Sequence, residues 1–227
     1  PGIIGAGVVQ INLVVDIILA TLLAEGSVSW LYYADRINQL PLGVVGIAVG
    51  VALLPMLSRQ LNAGEMEAAM NTQNRAIEFS LILCIPAAAA LAVLAEPIVT
   101  VLFQRGQFSP SDTKATAQAL AAFAFGLPAF VLIKAIVPGF FARQDTTTPV
   151  KIAVVAMAVN IGLAVMLMQV FAHAGIALAT ALSAWMNVLA LGIVLIRRGH
   201  FRLDARLMKR SPKVLLSAAI MAVGLWL

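Results

Sequence analysis

Charge is scarce in this sequence. Asp, Glu, Lys and Arg make up 11% of 227 residues, against roughly a quarter in ordinary soluble domains. So little charge cannot cover a water-facing surface, which excludes a soluble globular protein. Cysteine is nearly absent: Cys84 stands alone, so no disulfide forms within the chain, and its apolar surroundings make it a small hydrophobe. The two histidines, His173 and His200, fall in loops, and no HExxH or GxSxG motif occurs. Nothing supports hydrolytic or metal catalysis, and the chain is not expected to be an enzyme. A basic leader is also missing, since Pro1-Gly2 opens directly into an apolar run. That opening, and the close inside Leu215–Leu227, lead us to expect a piece of a longer protein.

What is present is hydrophobic. Mean hydropathy is +0.99 and 62% of residues are apolar. They come in blocks near the ~20 residues that a helix needs to span a bilayer. Leu, Ala, Ile, Val and Met dominate without strict alternation, which favours helices over barrel strands. The expected fold is all-α, one polytopic transmembrane helical domain over residues 1–227.

Seven segments are expected, the last one truncated: Ile3–Leu23, Val28–Leu57, Arg75–Ala95, Ala115–Phe141, Val150–Phe171, Ile176–Ile196 and Leu215–Leu227. The second should kink near Pro41 and the glycines at 43, 46 and 50. A polar loop is expected over Ser58–Asn74, an apolar extension of the third segment to Phe103, and a basic linker over Arg197–Lys213. Before the fourth segment, Ser109 is placed as N-cap, with Pro110 at the first helical position and Asp112 at N3. Loops after even-numbered segments hold eleven Lys and Arg; the opposite loops hold only Arg105 and Lys114. The positive-inside rule puts the basic loops in the cytoplasm. The net charge of +5 therefore reads as topology, and nucleic acid is excluded as a partner.

Charge within a span costs about 2.5–3.5 kcal/mol on insertion scales, so Asp16, Asp35, Arg36 and Lys134 call for a reason. Arg36 keeps its proton even in apolar surroundings, and its flat fork suits phosphate or carboxylate. Facing a central cavity it would bind an anionic headgroup, with Lys134 as a second cation at similar height. Snorkelling, or a structural pair of Lys134 with Asp35, is the plainer alternative. Asp16, with Gln10 and Asn12 nearby, Asn160 and Thr180 together form a possible oxygen cage for a small cation. Gly46-x-x-x-Gly50 is a close-packing pattern, and Trp30, Tyr32 and Tyr33 fit an aromatic belt at the outer interface.

Four stretches carry a family resemblance: SWLYYADRINQLPLGVVGIAVGVALLPMLSRQ, EPIVTVLFQRGQFSPSDT, KAIVPGFFARQDTTTPVKI, and VNIGLAV followed by GIALATALSAWMN. In order they cover most of the chain from Ser27 to Arg198 and resemble the MurJ/MviN lipid II flippases of the MOP exporter superfamily. The resemblance implies a MATE-like half-transporter, holding helices seven to twelve and the start of thirteen of a 14-helix protein. It implies location in the bacterial inner membrane, lipid II and membrane lipids as partners, and an N-terminal half completing the cavity. It also implies transport by alternating access, with a related exporter of drugs or another lipid-linked glycan as the alternative. By this resemblance Arg36, Asp35, Ser29, Gln39 and Lys134 line the substrate cavity. It further implies a sodium site from Asp16, Asn160, the carbonyl of Ile176 and Thr180, with Ala164 and Gln39 standing where many relatives carry acids. Sodium is the only cofactor expected.

Overall fold

The computed structural model describes residues 2–226, with side chains from Gln10 to Trp226. Eight α-helices and one π-helical stretch account for the described chain. In order they are α1 (Gly2–Thr21), α2 (Ser27–Pro41), the π-helical Leu42–Ile47, α3 (Ala48–Asn62), α4 (Met66–Val93), α5 (Ala95–Phe103), α6 (Pro110–Phe141), α7 (Thr147–Arg197) and α8 (Ala205–Trp226).

Helical runs long and apolar enough to cross a membrane are Ser27–Asn62, Met66–Val93, Pro110–Phe141 and Thr147–Arg197. The last is two spans folded together. At Ala172 the backbone turns to φ 49, ψ −130, and Gly175 lies so close to the Leu167 carbonyl that a Cβ would collide with it. The arms 147–171 and 173–197 then run back to back, and Arg198 at one end bonds Asp145 and Thr148 at the other. The expected pair of segments joined at His173–Gly175 is thus present.

Several expected boundaries need correction. The second segment remains helical throughout and bends by widening its turn after Pro41, where proline withholds an amide proton. The polar loop expected over Ser58–Asn74 shrinks to a turn at 63–65, because α3 and α4 continue past the apolar core. The basic linker is helical from Ala205 onward. In both cases hydropathy marks where lipid ends, whereas a helix ends only when its hydrogen bonding is interrupted. The extension to Phe103 is a separate helix, since Leu94 leaves helical geometry at φ −95, ψ 16.

The bundle is centred on α6, whose apolar window is 61% buried against 17–28% for the other long helices. Lipid and protein interior are equally apolar, so helices associate through close packing of small side chains. Ala119, Ala124, Ala129 and Ala135 of α6 and Ala177, Ala179 and Ala181 of α7 have no exposed surface. Gly126 permits the tightest approach: a Cβ there would stand 2.8 Å from that of Ala181. Beside Pro138, Gln73 of α4 donates to the carbonyls of Ala135 and Ile136 at 3.3 Å. The start of α6 forms as its sequence requires. The Ser109 hydroxyl accepts from the Asp112 amide, and the Asp112 carboxylate accepts from the Ser109 amide at 2.8 Å.

Basic turns gather at one end. Arg143 donates to the carbonyl of His200 at 3.0 Å, and Arg75 pairs with Asp204. At the other end Trp30 donates to Asp112 at 2.8 Å, its ring meets His173 edge-on at 5.0 Å, and His173 bonds the Ala115 carbonyl at 2.8 Å. Tyr33 packs between Phe103 and Phe108. Trp30 and Tyr33 therefore join helices together as well as sitting in an aromatic zone.

Candidate functional site

The side chains expected at a functional site fall in two places. One is the outward face of α2, where Ser29, Tyr32, Arg36 and Gln39 recur at helical spacing and are all exposed. Arg36 makes no ion pair among the described residues. Its guanidinium sits 4.7 Å above the centre of the Tyr32 ring and donates through Nη1 to Gln39 Oε1 at 3.2 Å. Gln39 in turn donates through Nε2 to the half-buried Asp35. An amide thus stands between acid and base, so Asp35 is engaged without pairing directly with Arg36. Tyr32 was expected only in an interfacial belt, and its contact with Arg36 follows from the i, i+4 spacing.

Lys134 sits elsewhere. The methylenes of its stem lie where Gly46 leaves space, Cγ being 3.4 Å from a Cβ built there, and its carbonyl faces Gly50. Gly46 is ten residues beyond Arg36, about 15 Å along a helix axis. The small-residue stripe docks the Lys134 backbone at that level of the helix. Lys134 is exposed and makes no ion pair among the described residues, so the pair with Asp35 considered above does not form.

The second place lies between α1 and the two arms of α7. Three polar side chains meet Asp16. Asn12, one turn earlier, donates to Asp16 Oδ2 at 3.4 Å; Asn160 donates to Asp16 Oδ1 at 3.2 Å and to Asn12 Oδ1 at 2.9 Å. Thr180 Oγ1 lies 3.3 Å from Asp16 Oδ2 and 3.0 Å from the Ile176 carbonyl. Asn160 is 1% exposed, and its Oδ1 has no hydrogen-bond partner. Three helical segments thus bring Asn12, Asp16, Asn160 and Thr180 together, and the Ile176 carbonyl meets this group through Thr180, one turn along the same helix. Ala164 is fully buried and contributes only a methyl group, and Gln10 is exposed and bonds no other side chain among the described residues. Among the described residues no group of three or more His, Cys, Asp or Glu could hold a metal. A cage with one carboxylate and otherwise neutral oxygens is the chemistry of a weakly charged site, and a half-turn of the Asn160 amide would bring its unpaired oxygen to face a cation there.

The sequence model of the family Lipid II flippase MurJ matches residues 1–227. The chain belongs to the MurJ family. It is 52% identical over 226 residues to a probable lipid II flippase MurJ of Rhizobium meliloti (strain 1021), covering 100% of this chain and 42% of the relative. To the corresponding Vibrio cholerae protein it is 38% identical, covering 99% and 43%. A solved lipid II flippase MurJ in an inward closed conformation superposes with a TM-score of 0.83 at 29% identity, over 95% of this chain and 44% of that one. An outward-facing MATE transporter of the MOP superfamily superposes at 0.74 and 18% identity, over 97% and 50%, which shows the fold alone. The chain therefore spans less than half the length of these MurJ relatives. Its family is one of flippases, and its fold is that of the MOP transporters.

Proposed function

We propose that this chain is one wall of a transporter that carries lipid II across the bacterial inner membrane by alternating access, without chemically altering it. The observation that supports this most is Arg36. A permanently charged fork stands on an exposed face within a membrane helix, unpaired by any described acid and held by Tyr32 and Gln39. One edge of the guanidinium bonds Gln39, and the remaining N–H groups are free to receive phosphate oxygens. Ser29, Asp35 and Gln39 form the rest of the polar stripe, and Lys134 supplies positive charge deeper along the same path. The other wall would come from the remaining part of the protein, and rocking of one half against the other would expose the stripe to each face in turn. The lipid tail stays among membrane lipids.

Sodium is proposed as the only ion held by the chain, through Asp16, Asn160, Thr180 and the Ile176 carbonyl. When bound it would neutralise a carboxylate buried among helices and tie α1 to α7.

The test is headgroup translocation by the complete protein in vesicles. Arg36→Ala is expected to slow it about 10- to 100-fold, the range for losing one charge-assisted hydrogen-bonding group. Arg36→Lys should recover part of that. Unchanged translocation by Arg36→Ala would refute the reading.

A further inference from the structure

We infer that Asn12 is a fifth ligand of the proposed cation and the residue that restricts the site to monovalent ions. This rests on the cation reading above and goes beyond it, adding Asn12 and a selectivity rule.

Asn12 belongs to the cage by its contacts. Its amide touches the carboxylate through Nδ2 and Asn160 through Oδ1. Asp16 and Asn160 meet each other as well, so the three side chains form a closed triangle. Buried amides elsewhere lack this arrangement: Asn38 Oδ1 also has no partner, but its side chain bonds no carboxylate.

The two amides turn their N–H groups toward Asp16, and Thr180 Oγ1 completes the ring. These three donors satisfy the carboxylate from protein groups alone. The same arrangement leaves the Asn160 oxygen buried and unpaired, a state that costs about 1–3 kcal/mol. A half-turn of that amide moves the oxygen to the carboxylate side, where only a cation makes it welcome. Asn12 already presents its oxygen to Asn160, so the rotation replaces an N–H donor there and leaves Asn12 Oδ1 free to ligate. Asn160 thus exchanges a donor for an oxygen, while Asn12 ligates through the oxygen it already presents.

Charge then sets selectivity. With Asn160 turned, the cage would hold one carboxylate and four neutral oxygens, from Asn12, Asn160, Thr180 and Ile176. One negative charge balances a monovalent ion. A divalent ion would leave excess positive charge in a low-dielectric setting, and calcium sites gain affinity with the number of charged ligands. Placing a carboxylate at position 12 should therefore convert the preference.

The experiment measures thermal unfolding of the full-length protein in detergent while titrating NaCl against choline chloride at constant ionic strength, with CaCl2 as a separate arm. Stabilisation should rise with sodium as ligand linkage requires, and Asp16→Asn should abolish it. Asn12→Ala should raise the half-saturating sodium concentration about tenfold, the lower end for residues supporting a metal site. Asn12→Asp should gain stabilisation by calcium. If wild type shows no sodium effect, the cation reading fails. If wild type responds but Asn12→Ala responds at the same concentrations, or Asn12→Asp gains no calcium response, the cation reading stands and the role of Asn12 is overturned. Unfolding in choline alone reports whether either variant is damaged without ion, and should the alanine variant not fold, the calcium response of Asn12→Asp decides.

Discussion

Replacing Glu78 by glutamine should loosen α8 from the bundle. Glu78 is 4% exposed and accepts from Arg75, from Arg206 at 3.3 Å and from Arg210 at 2.8 Å. Two of these arginines lie on α8, and Arg75 also pairs with Asp204 just before it. Glutamine keeps the shape and removes the charge. The side chains of Arg206 and Arg210 are 54% and 51% exposed, so they return to water, and each lost bridge costs about 0–1 kcal/mol. Arg75 is the costly partner, being 27% exposed with an Nε that already lacks an acceptor. Breaking a buried pair from one side costs about 3–5 kcal/mol, reduced here because Asp204 still neutralises the guanidinium. The expected loss is therefore about 2 kcal/mol in all, mostly through Arg75. Denaturant titration of the complete protein would measure it, and hydrogen exchange would localise it. Amides in 205–213 should exchange faster while those of α6 are unchanged. A stability loss under about 0.5 kcal/mol with unaltered exchange in 205–213 would refute the reasoning.

The remaining predictions follow from other contacts. Gly126→Val should push α6 from α7, since its first side-chain carbon would already stand 2.8 Å from Ala181. A loss of about 1–3 kcal/mol is expected for such overpacking, and Ala181→Gly should restore only part of it, because the Ala181 Cα and the Phe130 ring would still stand 2.9 Å away. Asp145 lies in the turn before α7. Burial alone would raise its pKa, but hydrogen bonds from Thr148 and the charge of Arg198 outweigh burial and lower it from 3.8 to about 2. The unfolded chain therefore binds more protons between these values, so the stabilisation is complete above 3.8 and is lost as pH falls toward 2. The stability gap between wild type and Asp145→Asn should be open at neutral pH and close across that window; a gap constant with pH would contradict the assignment. The Arg36 and Asn12 experiments test the translocation and cation readings separately.

Much of the bundle was legible from hydropathy and from a few local signals. Apolar blocks of spanning length announce helices because lipid leaves backbone groups no other partner. The capping box at Ser109 was readable because its residues lie within one turn. Boundaries were less legible. Asn62 and Met66 end their helices beyond the apolar stretches, where sequence polarity only reports the change of solvent. Glu78 was missed because its arginine partners on α8 lie about 130 residues later, at 206 and 210. The level at which Lys134 docks was not legible, because the register of α6 against α2 and α3 depends on which small residues accept it.

By itself the sequence determined that the chain lives in lipid, that its helices run in alternating directions, and that Arg36 and Asp16 are charges kept where charge is expensive. Those facts follow from composition, length and periodicity, which act locally. Only the tertiary structure decided that Gln39 separates Asp35 from Arg36, that Asn12, Asp16, Asn160 and Thr180 share one cage, and that Lys134 stands apart. These are short-range polar contacts whose geometry is fixed by how helices pack across small side chains, and hydropathy carries no information about that register.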